Sequence, residues 1–224
     1  MKTRNLTLLT LAGWIGLAFC LNAQAYTRPH RYDVKLASQQ MIEKRTLTTP
    51  TIASVAKIIN NKAITSTSAT TTVSTGLTDP DVCRALSITA VQTDDVPAGD
   101  ITINGTNALG ATMAETFTLL AEHTSTVNGV EAFCTVSSVV FPIQDGDGTA
   151  VYDIGTQDVL GLHRCMAEAG HVIFATLDGA YEATRPTVIA DTDEVEKNTV
   201  DLNGTLDGAK DVEVFFIQNF GCLD

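Results

Sequence analysis

The chain lacks the short patterns that most often carry chemistry. It contains no GxSxG nucleophile elbow, no HExxH zinc motif, no GxxxxGK[ST] phosphate loop and no GxGxxG opening a helix, which removes the commonest hydrolase and nucleotide-binding arrangements. Positive charge is scarce as well. Fourteen Lys and Arg against 26 Asp and Glu give a formal net charge of −12, which argues against a nucleic-acid-binding body. The longest apolar run, Leu6 to Leu21, is broken by Thr and Gly and is shorter than the ~20 residues of a membrane span. Apolar residues are plentiful, at 44% of 224, so the chain can fill the core of one β domain or two small ones.

That apolar run follows Lys2 and Arg4 and precedes Ala23-Gln24-Ala25, the small-x-small form of a signal-peptidase site before Tyr26. Residues 1-25 therefore read as a secretory signal, with an uncleaved apolar helix as the alternative. Its removal leaves Cys83, Cys134, Cys165 and Cys222, enough for two disulfides in any of three connectivities. In a reducing compartment the same four are small apolar core residues.

Charge divides the remainder. Residues 26-75 carry seven basic residues (Arg28, Arg31, Lys35, Lys44, Arg45, Lys57, Lys62) against Asp33 and Glu43, whereas five basic residues face 24 acidic ones from Gly76 onward. The expectation is a basic extended arm, 26-75, on an acidic body, 76-224. Within the arm a short helix is expected around Ala53 to Asn60. The run TSTSATTTVSTG is expected as an extended connector, because it lacks an alternating core face. Tyr26, Tyr32, Val34 and Leu36, with Arg28 and Arg31, are the candidate anchors by which the arm grips neighbouring copies.

From Asp79 the pattern becomes short apolar runs between turn signals. Strands are predicted at Ala85 to Thr93, Asp100 to Gly105, Thr112 to Leu120, Ala132 to Pro142, Thr149 to Ile154, His171 to Leu177, Ala180 to Thr184, Thr199 to Leu202 and Val212 to Gln218. Asn128-Gly129, Asp178-Gly179 and Asn203-Gly204 accept positive φ, and HVIFATL-DG-AYEAT is the clearest hairpin. Phe117, Phe133, Val136, Val140 and Leu160 are the expected core. Many short strands with little helix imply an all-β fold, an antiparallel β-sandwich or jelly roll.

Candidate sites are few, and each has a plain structural alternative. Asp145, Asp147 and Asp153 share a glycine-rich loop that could offer oxygens to Ca²⁺, but without EF-hand spacing the loop reads as a solvated turn. His163, Cys165 and His171 match no recurrent zinc spacing. Asp94-Asp95 and the pair Asp191 and Asp193 sit in acidic loops. Asn104-Gly105-Thr106 and Asn203-Gly204-Thr205 fit the glycosylation sequon, and each also reads as a tight turn. No catalytic residue, metal or cofactor is expected.

The succession GLTDPDVCRALSIT, GDITINGTNALGATMAETFTL, VNGVEAFCTVSSVVFP and YDIGTQDVLGL, from Gly76 to Leu162, resembles a family of tailed-bacteriophage virion proteins. The resemblance implies a β-rich head or tail component without enzymatic activity. Its partners would be other copies of itself and a major capsid or tail protein, with no direct nucleic-acid contact and no stable membrane span. The alternative is a secreted or periplasmic β-sandwich such as an adhesin or fibre subunit.

Overall fold

The structure is a computed structural model that describes residues 41–91, 97–121, 126–144 and 150–217. Its strands are β1 (Ile42–Leu47), β2 (Ser54–Ile64), β3 (Thr71–Val73), β4 (Arg84–Ala90), β5 (Gly99–Thr106), β6 (Thr112–Leu119) and β7 (Thr126–Phe133). They continue as β8 (Thr135–Phe141), β9 (Ala150–Gly161), β10 (Val172–Leu177), β11 (Ala180–Tyr181), β12 (Thr187–Ile189), β13 (Thr199–Asp201) and β14 (Val212–Ile217). Every pairing among the described residues is antiparallel, so the protein is all-β.

Three sheets result. The first runs β1-β14-β10-β11, the second β12-β13-β9-β4-β7, and the third β3-β8-β5-β6. The long strand β9 organises the second sheet. One edge of it pairs with β4, while the other is shared by β2, which reaches Thr156, and β13, which lies opposite Val159 to Gly161. Accordingly β9 serves two cores. Tyr152 and Ile154 point into a cluster with Leu86, Ile103, Phe117 and Phe133, drawn from the second and third sheets. Leu160 belongs to a second cluster with Leu47, Val172, Val200, Val214 and Phe216, beneath the first sheet.

Strict alternation explains β6, whose Met113, Glu115, Phe117 and Leu119 point inward while Thr112, Ala114, Thr116 and Thr118 face out. Phe117, Phe133, Val136 and Leu160 are buried as expected, but Val140 is only half-buried and Val139 takes its place. A bulge is the reason. Asn104 pairs with Ser138 and Gly105 with Val136, so Ser137 is the extra residue and shifts the inward phase of β8 by one.

The hairpin tip at Asp178-Gly179 is as expected. Both residues have positive φ, and Leu177 pairs with Ala180 across them. Asn128-Gly129 is different: it lies inside β7 rather than at a turn. A Cβ on Gly129 would sit 2.5 Å from Glu115 Oε2 and 2.8 Å from the Phe117 ring, so the glycine is there for close approach of a neighbouring strand. Asn104-Gly105 is likewise inside β5, where the Thr135 carbonyl of β8 occupies the space a side chain would need. Asn203-Gly204 joins no hairpin, because β13 and β14 belong to different sheets.

The expected arm is revised most. From Met41 to Val73 the chain pairs with its own body: β1 with β14, β2 with β9 and β3 with β8. The segment expected as a helix around Ala53 to Asn60 is part of β2. Two register shifts and a positive φ at Asn61 break its alternation, which is why the sequence pattern does not read as a strand. The Thr-rich connector supplies β3, with Val73 buried. The acidic body thus begins at Met41, where nine basic residues face 25 acidic ones.

Candidate functional site

Among the described residues Arg84 is the bulkiest fully buried side chain, and it sits where the β1–β2 connection meets β4 and β9. Its Nη1 donates to Asp81 Oδ1 at 2.9 Å and its Nη2 to the Thr51 carbonyl at 3.0 Å, with Asp158 Oδ1 at 3.5 Å. Asp81 in turn accepts from Thr51 N at 2.6 Å and Thr51 Oγ1 at 2.7 Å. Burial pushes the Asp81 carboxyl up, but the Thr51 hydrogen bonds and the guanidinium outweigh it and hold its pKa below the usual value. Nearby, Asp79 Oδ1 accepts from Val136 N at 2.8 Å. The DPDVCR stretch is therefore a structural knot.

The GTNALG stretch builds a turn. Asn107 Oδ1 accepts from Leu109 N and Ala111 N, both at 3.0 Å, and the Asn107 Nδ2 donates to Glu196 Oε2 at 3.0 Å. Along β6, Glu115 occupies an inward position. Its Oε1 accepts from Val130 N at 2.6 Å and Glu131 N at 3.3 Å, while Oε2 is buried without a partner. Burial, aided by the charge of Glu131, pushes this carboxyl up to about 7 despite the hydrogen bonds from β7. Glu131 itself is raised, first by burial and then by Glu196.

Between the first sheet and the loop after β9, Glu43 Oε1 lies 2.6 Å from His163 Nε2 and Glu43 Oε2 accepts from Arg164 Nε at 3.3 Å. Burial lowers the His163 pKa, opposed by Glu43 and reinforced by Arg45 and Arg164. Cys83 is disulfide-bonded to Cys134, and Cys165 is disulfide-bonded as well. A disulfide sulfur is no thiolate ligand, so the trio His163, Cys165 and His171 is not a metal centre. Among the described residues no three metal-ligating side chains come together.

Other candidate oxygens cap backbone. Asp153 Oδ1 accepts from Asn61 N at 2.6 Å, and Asp191 Oδ1 accepts from Asp193 N and Glu194 N at 2.8 Å, which lowers the Asp191 pKa. Asp94-Asp95, Asp145 and Asp147 lie outside the described residues, as do the anchors Tyr26, Arg28, Arg31, Tyr32, Val34 and Leu36.

One surface was not anticipated from sequence. On the outward side of the first sheet, Phe174 of β10 stacks on Phe215 of β14 at 4.3 Å between centroids and meets Tyr181 of β11 at 4.9 Å. Tyr181 is 72% exposed, and Ile42, which pairs with the half-buried Ile217, is 65% exposed. Lys44 and Glu213 lie on the same face, joined at 2.7 Å. At the hairpin end a cleft of about 340 Å³ is lined by Leu177, Asp178, Ala180, Tyr181, Glu182 and Lys210. Phe174 and Phe215 are half-buried, and with the exposed Tyr181 and Ile42 they form an apolar patch of the kind that marks surfaces that bind other molecules.

No family model, curated protein or solved structure matches the chain. The class that can be stated is an antiparallel all-β protein with disulfide-bonded cysteines. Among the described residues no helix is long and apolar enough to cross a membrane.

Proposed function

We propose that the protein is a non-enzymatic virion structural subunit, a capsid-decorating, cement or connector component that stabilises a particle through contacts of its β body and N-terminal segment. The observation that carries this reading is the partly exposed aromatic face of the first sheet, a surface with the composition of a binding patch. Within the stretches that resemble phage virion proteins, Asp79, Asp81, Arg84, Asn107, Glu115 and Phe133 hold turns or fill the core. Its partners would be copies of itself and a major capsid or tail protein.

A second setting is favoured by one specific observation. Disulfides persist in oxidising compartments, so Cys83–Cys134 and the bonded Cys165 suit a secreted or periplasmic protein such as an adhesin or fibre subunit. Intact mass on native material separates the two. A full-length chain in purified virions supports the first reading. A chain that has lost residues 1-25, is fully oxidised and is absent from particles supports the second. A native chain that stays monomeric at all concentrations and joins no particle or polymer overturns both.

A further inference from the structure

The aromatic face needs an occupant, and its surroundings select one. Its hairpin end carries Asp178, Glu182, Asp211 and Glu213 against Lys44 and Lys210, within a folded unit whose formal net charge is −16. Two such faces brought together would stack acidic rims on each other, which disfavours direct face-to-face pairing. The same chain contains a complementary segment. In RYDVKL, Tyr32, Val34 and Leu36 alternate with Arg31, Asp33 and Lys35, and Tyr26 and Arg28 precede them. An extended backbone would put Tyr32, Val34 and Leu36 on one side at ~6.6 Å spacing. From first to last these three side chains extend ~13 Å, enough to cover the row Tyr181, Phe174 and Phe215, whose ring centroids follow at 4.9 and 4.3 Å, and long cationic side chains on the other side reach the rim.

Resting on the assembly reading above, we infer that residues 26 to 36 of a second copy dock in extended form on the outer face of the first sheet. Their apolar side covers Phe174, Tyr181 and Phe215, and Arg28, Arg31 and Lys35 meet the acidic hairpin end. The stacked aromatics supply most of the affinity, because exposed ion pairs contribute little and the docking segment loses conformational freedom on binding. The charges fix direction and raise the association rate, so binding weakens as salt rises.

The test uses the full chain with a photo-crosslinking amino acid in place of Tyr181, prepared as an equal mixture of ¹⁵N-labelled and unlabelled protein. Cross-links between position 181 and a peptide within 26 to 36, half of them of mixed isotope composition, support the inference. Cross-links to that peptide of one isotope only, to the first sheet of a second copy, or to neither, overturn it. As a second measurement, Tyr32→Ser, which leaves the body intact, and Phe174→Ser should each weaken self-association at least tenfold by sedimentation. A Tyr32→Ser variant that associates as the wild type does is a further refutation. If copies assemble while the cross-links map elsewhere, only the docking site is wrong. If the chain never assembles, the assembly reading fails with it.

Discussion

Glu115 Oε1 accepts a 2.6 Å hydrogen bond from the Val130 backbone N–H, and with a longer one from Glu131 N it ties β6 of the third sheet to β7 of the second. The carboxyl does what a ladder hydrogen bond would do between strands of one sheet. Gly129 makes room for it. The arrangement buries an ionisable group with one oxygen unpaired, and its protonation therefore bears on stability.

The pH dependence has a definite sign. The folded-state pKa of Glu115 is raised to about 7, so the folded chain holds this proton more tightly than the unfolded chain does. The contribution is fully present below about pH 4.5 and is lost as pH rises through about 7, for roughly 2 kcal/mol after solvent screening. Glu115→Gln mimics the protonated acid. Urea unfolding from pH 5 to 8 should show the variant gaining on the wild type as pH rises. Parallel profiles would mean that Glu115 stays ionised in the fold.

Arg84 should be intolerant even of lysine. Its guanidinium serves Asp81 and the Thr51 carbonyl at once, a geometry that an ammonium does not reproduce. Loss of the buried charge leaves Asp81 uncompensated, and Arg84→Ala is expected to cost ~3 kcal/mol by denaturant midpoint, with Arg84→Lys close behind. A lysine variant with the wild-type midpoint would reassign the knot to packing alone.

Phe133 and Val140 separate the two expected core positions. Phe133 is fully buried, so Phe133→Ala should cost about 3 to 5 kcal/mol, whereas Val140→Ala at a half-buried site should cost ~1 kcal/mol. Equal losses would place Ser137 in register and remove the bulge.

The Cys83–Cys134 bridge closes a separation of 51 residues, for which chain entropy predicts about 4 kcal/mol. Cys83→Ser/Cys134→Ser should lower the melting temperature by several degrees relative to the oxidised wild type, and no further on addition of reductant than Cys165 accounts for. A double variant that melts with the oxidised protein would show the bridge to be energetically idle.

Local chemistry alone determined a good part of the fold. The Asp178-Gly179 tip follows from two residues that tolerate positive φ, and β6 follows from eight strictly alternating positions. Burial of Phe117 follows from the same periodicity. Bulges hid the rest, since an added residue inverts phase without leaving a trace in composition: β2 looked helical and Val140 looked buried. The charge boundary was hidden too, because whether Lys44 belongs to an arm or a sheet depends on Glu213, 169 residues away. Nothing in the sequence marks Glu115 either, since its hydrogen bonds come from β7, which belongs to another sheet. The aromatic face is the purest case. Phe174 and Phe215 are ordinary strand residues in sequence, and only the pairing of β10 with β14 turns them into a surface.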